Sequence, residues 1–269
     1  MIDEAEEKSE IQKLLKKGSF LQNQGHYEVS IQYFNEVIGI EPRHAVAYYR
    51  RGIAYCALGQ HELAIKDYTE ATRLSPELVA AYNNRGNAYY GLGQYELAIR
   101  DYNKAIQLNP EFAAAYNNRG NAYRILGRYE LAIKDFDEAI RIDPADARAF
   151  NGRGMTHFVL GHHDRALEDC SEAIRLDPRF AAPYNNRGNV YRALGRYELA
   201  IGDYGEATRL DPSDEGAYHN LASALEHIDT NKALKAWGRY LQMAKGSPLG
   251  KGWIENVLKI KEDLENKPS

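Results

Sequence analysis

The chain has 269 residues, of which 44% are hydrophobic and 27% charged, with a formal net charge of −4. These are the proportions of an ordinary folded chain, and the acidic balance argues against a general nucleic-acid binder, which needs a basic surface. No run of about 18 apolar residues exists, so no transmembrane helix is expected, and the acidic start from Met1 to Glu10 lacks the apolar core of a secretion signal.

Taken in chain order, residues 1–10 are expected to extend the first helix. Six prolines then stand at a fixed interval of 34 residues: Pro42, Pro76, Pro110, Pro144, Pro178 and Pro212. A period of this size means one small unit copied along the chain, each copy burying its neighbour's apolar face. The units are 11–44, 45–78, 79–112, 113–146, 147–180 and 181–214. Each carries a glycine at position 8 (Gly18, Gly52, Gly86, Gly120, Gly154, Gly188) and another at position 15, such as Gly93. Apolar residues fall at helical spacing in two runs, for example Tyr82 and Tyr89, then Leu97, Ala98, Tyr102 and Ala105. Gly93 lies between the runs, where a helix end needs a left-handed residue. The proline closes the second run. Each unit is therefore a helix–turn–helix pair, and small residues such as Gly86 and Ala98 allow the two helices to cross closely.

A seventh unit, 215–246, begins with Tyr218, Asn220 and Leu221, then loses the turn glycine and one residue; with that shift Ala233 and Trp237 take the small and aromatic positions of its second helix. Gly246 to Gly252 breaks the pattern. The last segment, within 247–269, places Trp253, Val257, Ile260 and Leu264 on one helical face, expected to cap the final unit, with docking to another chain as the alternative.

The order aromatic, glycine, tyrosine, turn glycine, alanine, aromatic, alanine, proline is fullest in units 3, 4 and 6, as in Tyr116-Asn-Asn-Arg-Gly-Asn-Ala-Tyr123 with Ala132, Phe136, Ala139 and Pro144. It resembles the tetratricopeptide repeat (TPR) family over roughly four fifths of the chain. The resemblance implies an all-α, right-handed superhelical solenoid of antiparallel helix pairs: six full repeats, one degenerate repeat and a capping helix. It implies a non-catalytic scaffold that binds proteins along a concave groove lined by each repeat's first helix.

Two further patterns run through the repeats. Position 7 of repeats 2–6 is always arginine (Arg51, Arg85, Arg119, Arg153, Arg187) and position 23 always aspartate (Asp67, Asp101, Asp135, Asp169, Asp203), whereas repeat 1 has Lys17 and Tyr33. Both appear or vanish together, which predicts bidentate pairs between the two helices of a repeat. Asparagine recurs in the first helices, where its helix propensity is poor: Asn83, Asn117, Asn151 and Asn185 at position 5; Asn84, Asn118, Asn186 and Asn220 at position 6; Asn87, Asn121 and Asn189 at position 9. The amide matches the peptide group, so such a row can hydrogen-bond an extended backbone without reading its side chains, similar to the asparagine ladder known in the family. Simple descent of duplicated helices is the alternative. The family's carboxylate clamp for acidic chaperone tails is absent, because Leu15, Ser19, Tyr49 and Ile53 occupy its positions in repeats 1 and 2.

Repeat 5 interrupts the row: Gly152 beside Met155 and Phe158 suggests an apolar socket, or plain packing, flanked by Arg124, Arg148 and Arg192, which would favour acidic side chains. His157, His162 and His163 are read as packing substitutions, no cysteine pair has zinc spacing, and Cys56 and Cys170 fit a reducing cytoplasm. Gly91-Leu-Gly93 is a helix end and no catalytic constellation stands out, so neither enzyme activity nor a cofactor is expected. The expected partner is thus an extended protein segment rather than a nucleic acid or membrane. The runner-up is a self-assembling, homo-oligomeric scaffold.

Overall fold

The computed structural model describes residues 4–244, 258–260 and 262, and among these the secondary structure is helix and turn with no strand. Two compact units partition the chain, Met1–Ile142 and Asp143–Ser269. The first holds α1 (Glu4–Asn23), α2 (Tyr27–Ile40), α3 (Ala45–Ala57), α4 (His61–Leu74), α5 (Val79–Gly91), α6 (Tyr95–Leu108), α7 (Ala113–Ile125) and α8 (Tyr129–Ile142). The second holds α9 (Ala147–Val159), α10 (His163–Leu176), α11 (Ala181–Ala193), α12 (Tyr197–Leu210), α13 (Glu215–Leu225) and α14 (Thr230–Ala244).

The turn chemistry of repeat 3 shows why the chain folds into pairs. Gly93 adopts φ +72, a left-handed conformation that a side chain would strain. It lets Gln94 donate its N–H to the Tyr89 carbonyl at 2.9 Å and Gly93 donate to Tyr90 at 2.9 Å, closing the end of α5. After α6, Asn109-Pro110-Glu111-Phe112 makes a tight turn in which the Phe112 N–H reaches the Asn109 carbonyl at 3.2 Å. Pro110 supplies the fixed φ at the turn's second position, and Asn109 Oδ1 accepts from the Glu111 N–H at 3.1 Å.

Packing within a pair is set by position 8 against position 24. A Cβ added to Gly86 would lie 2.6 Å from the ring of Tyr102, and the same close approach joins Gly52 to Tyr68 at 2.7 Å and Gly188 to Tyr204 at 2.7 Å. The alanines around these rings, including Ala64, Ala71, Ala98, Ala105, Ala132 and Ala200, are fully buried. The core is therefore a file of aromatic rings laid on glycine and alanine surfaces.

Between pairs, α1 touches α3, α3 touches α5 and α5 touches α7, while the second helices of neighbouring pairs do not meet one another among the described residues. In the second unit α9 touches α11 and α11 touches α13. First helices crowd together and second helices spread apart, so within each unit the first helices line the inner side of the stack.

The five predicted arginine–aspartate pairs are present, with both contacts between 2.6 and 3.0 Å in every case. Their remaining reach was not legible beforehand. Arg51 Nη1 also donates to Asn35 Oδ1 at 2.6 Å, Arg85 Nη1 to Thr69 Oγ1 at 3.1 Å, and Arg187 Nη1 to Ser171 Oγ at 3.1 Å. Each of these guanidinium groups thus ties its own pair to the second helix of the pair before. The same groups lie 5.5–5.9 Å from the position-4 rings of Tyr48, Tyr82 and Tyr184. Hydrogen bonding to Asp101 raises the pKa of Arg85, and burial pushes the Asp67 and Asp135 carboxyls upward despite their partners. In repeat 1, Lys17 Nζ sits 5.9 Å from the Tyr33 ring, a cation–π contact where the others have an ion pair.

At the other end, Ala233 and Trp237 are buried with Leu225 and Tyr240, and Ile260 packs on that cluster. Trp237 Nε1 donates to Glu226 Oε1 at 2.7 Å. Trp253, Val257 and Leu264, with the glycine-rich break before them, lie outside the described residues, so the expected cap is represented here by Leu258–Ile260 alone.

Candidate functional site on the first-helix face

The asparagines form an internal ladder. Asn118 Nδ2 donates to Asn83 Oδ1 at 3.1 Å and to Asn87 Oδ1 at 3.0 Å. Asn186 Nδ2 donates to Asn151 Oδ1 at 2.7 Å, and Asn220 Nδ2 to Asn185 Oδ1 at 3.0 Å. Three of these bonds join position 6 of one repeat to position 5 of the repeat before, a separation of 35 residues; the bond to Asn87 reaches position 9 instead. In repeat 2 position 5 is Tyr49, and its hydroxyl takes the bond from Asn84 Nδ2 at 3.3 Å.

This geometry adds a contact between helices to the expected roles. Asn83, Asn117 and Asn186 are buried, and Asn83, Asn151 and Asn185 at position 5 accept from the following first helix. The reason is chemical: the amide that matches a peptide group matches a second asparagine equally well. Asn117 Oδ1 is buried with no hydrogen-bond partner among the described residues.

Position 9 behaves differently. Asn87 is exposed and accepts from the Tyr102 hydroxyl at 2.9 Å. Asn189 accepts from the Tyr204 hydroxyl at 2.8 Å. Repeat 4 has Phe136 where a tyrosine would stand, and there Asn121 Nδ2 turns to the Asn117 carbonyl at 3.0 Å. None of the hydrogen bonds among the described residues uses Asn121 Oδ1. Burial raises the phenol pKa of Tyr102, and that of Tyr204 to about 12, so both hydroxyls stay protonated and donate.

Around these groups lies a cavity of about 240 Å³, lined by Asn87, Tyr90, Tyr102, Asn118 and Asn121. Its floor is the Tyr102 hydroxyl coming up from α6, and its walls are α5 and α7. Arg124, one turn beyond Asn121, acts electrostatically on the Tyr90 phenol at this wall. In the second unit, Arg192 acts electrostatically on the Tyr204 phenol and on His219.

Of the repeat 5 residues expected to form a socket, the Phe158 ring packs against His163 at 5.9 Å, and Met155 is half-buried. Arg148 stays largely exposed while Asp146 accepts from its Nε at 2.9 Å and its Nη2 at 3.1 Å. Sequence reasoning also missed a larger cavity of about 490 Å³ at the turn between α9 and α10, lined by Gly161, His162, His163, Asp164, Arg165 and Leu194. The histidine cluster was its only signal. Among the described residues, no group of three or more His, Cys, Asp or Glu could hold a metal ion. Cys170 is buried, and its thiol is pushed up to about 12.

His157 is buried where other repeats place tyrosine, and its Nδ1 lies 3.4 Å from that of His162. One ring must donate and the other accept. Burial, with Arg153, Arg165 and His162, lowers its pKa; Asp169 opposes. The unfolded chain then binds a proton more readily, so stability is lost as pH falls below about 6.5. His157→Tyr is expected to flatten the dependence of the melting temperature on pH between neutral and mildly acid solution. An unchanged slope would show that His157 does not carry it.

Tandem antiparallel helix pairs with inward-facing first helices define a helical-repeat interaction protein, and no described helix is long and apolar enough to cross a membrane. Family profiles described as tetratricopeptide repeat or TPR repeat match residues 14–44, 52–93, 79–112, 113–146, 147–180, 170–202 and 188–227, and the chain belongs to the tetratricopeptide repeat family. No curated protein gives a significant match. Among solved structures, the hetero-tetramer Cut9–Hcn1 of the APC/C aligns with a TM-score of 0.77 at 20% identity, over 90% of this chain but 47% of that one. A tetratricopeptide repeat protein from Parabacteroides merdae aligns at 0.75 with 22% identity, over 94% of this chain and 99% of that one. YrrB, described as a TPR protein with an unusual peptide-binding site, aligns at 0.53 with 24% identity, over 69% and 96%. At these identities the likeness is one of fold.

Proposed function

We propose that this protein is a non-catalytic interaction scaffold that holds an extended peptide segment of a partner along its first-helix face. The observation that carries this is the cavity of about 240 Å³ between α5 and α7, lined by amide and phenol groups. Asn121 Oδ1 can accept a peptide N–H, the Tyr90 phenol can donate to a peptide carbonyl or stack on an amide plane, and the exposed Asn87 edge lies beside them. The internal asparagine ladder keeps α5 and α7 in register. The contact groups are thereby held in place before the ligand arrives, which lowers the ordering cost of binding. YrrB's peptide-binding site lends the same fold a precedent for this use.

Selection of linear peptides from a random displayed library tests the proposal. Selected peptides are expected to lose about tenfold or more in affinity, roughly 1.4 kcal/mol, on Tyr90→Ala or Asn121→Ala. Gln107→Ala, at an exposed position of α6, should leave binding unchanged. Failure to select any peptide, or equal sensitivity to all three substitutions, refutes the groove.

A further inference from the structure

In α3, α5 and α7 there is no aspartate or glutamate, and the same holds for α9 and α11 of the second unit, whereas α1 and α13 carry glutamates. The carboxylates of repeats 2 and 3 sit on the second helices, for example Glu62, Asp67 and Glu70 on α4 and Glu96 and Asp101 on α6, or in the turns at Glu77 and Glu111. In a chain whose net charge is −4, these middle first helices are thus free of negative charge.

The same three helices of the first unit carry Arg50, Arg51, Arg85, Arg119 and Arg124. Arg51, Arg85 and Arg119 are neutralised by their bidentate aspartates. Arg50 and Arg124 make no ion pair among the described residues. Arg124 is half-buried, and its Nε has no hydrogen-bond partner among the described residues, so its charge is poorly compensated by them. Its charge already bears on Tyr90, a wall of the cavity between α5 and α7.

The geometry points to an acidic peptide segment as the occupant of this groove, with Arg124 and Arg50 as the groups that select its aspartate or glutamate side chains. This deepens the peptide-groove proposal and rests on it. A ligand carboxylate pairs with the Arg124 guanidinium, which makes no ion pair among the described residues, on helices that carry no carboxylate of their own to compete for it. The second-helix carboxylates lie beyond the first-helix layer, farther from the groove than Arg50 and Arg124, so their repulsion is the weaker influence on a bound carboxylate. A nucleic acid, by contrast, would bring a dense phosphate charge against a chain of net negative charge, with two arginines on α3, α5 and α7 that make no ion pair among the described residues.

Fluorescence anisotropy with two labelled peptides separates the outcomes: one alternates glutamate with alanine, the other replaces every glutamate by glutamine. At low ionic strength the acidic probe is expected to bind about tenfold tighter than its amide twin. Arg50→Gln combined with Arg124→Gln should abolish most of that preference, whereas Arg124→Lys should retain part of it. Circular dichroism of each variant checks that the fold is kept. Equal binding of the two probes, still weakened by Tyr90→Ala, overturns charge selection and leaves the peptide groove standing. Absence of binding by the acidic probe overturns it also, while the library selection decides the groove independently. Tighter binding of an oligouridine than of the acidic probe assigns the arginines to phosphate instead and refutes the inference.

Discussion

Arg119→Ala is expected to lower the unfolding free energy by about 3–5 kcal/mol, because it strands the Asp135 carboxylate rather than merely removing a contact. Asp135 is buried and receives Arg119 Nε at 2.7 Å and Nη2 at 2.6 Å. The guanidinium also reaches Asn103 Oδ1 at 2.5 Å and lies 5.5 Å from the Tyr116 ring, so three helices lose a shared tie. Replacing both partners should cost less than replacing Arg119 alone, since no unpaired charge is then left inside. Chemical denaturation of Arg119→Ala, Asp135→Ala and the double variant measures this. A double variant as unstable as the sum of the singles would show that the pair is not coupled. In a stacked array the loss can appear as earlier melting of part of the stack instead of one shifted transition.

Tyr102→Ala is expected to cost about 3–5 kcal/mol through the cavity it leaves, and the partner glycine makes the experiment decisive. Tyr102 is almost fully buried against Gly86, where an added Cβ would sit 2.6 Å from its ring. In the wild-type background Gly86→Ala should destabilise by about 1–3 kcal/mol from overpacking, less about 1 kcal/mol from the better helix propensity of alanine. Once Tyr102 is removed the clash disappears, and Gly86→Ala should become stabilising by about 1 kcal/mol. Persistence of the same sign in both backgrounds would refute the ring-on-glycine account. Tyr102→Phe separates packing from function: it keeps the ring, leaves the Asn118 amide as the remaining donor to Asn87 Oδ1, and should alter peptide binding more than stability.

The arginine–aspartate pairs were legible in advance because their partners lie 16 residues apart within one repeat, close enough for a single helix hairpin to dictate their meeting. Family membership was legible for the same reason, since the glycine, alanine and proline positions are demands of one local unit. The asparagines were legible as a pattern but not as a mechanism. Their bonds span 35 residues, so their partners are chosen by how one pair stacks on the next. An amide's donors and acceptor carry no mark of whether a ligand or a neighbour will meet them. Arg148 shows a smaller version of the same limit: Asp146, two residues earlier, holds it by the turn geometry at the start of α9.

Period, helix pairing and the internal ion pairs thus followed from residue order alone, because each is settled within about 34 residues of chain by turn chemistry and short-range packing. The accessible part of the first-helix face was settled only in three dimensions. Stacking buried Asn83 and Asn117, left Asn121 Oδ1 and Arg124 Nε without hydrogen-bond partners among the described residues, and brought the Tyr102 hydroxyl beneath a cavity between α5 and α7. Exposure is a property of the space between repeats, and a repeat's own sequence does not contain its neighbour's position.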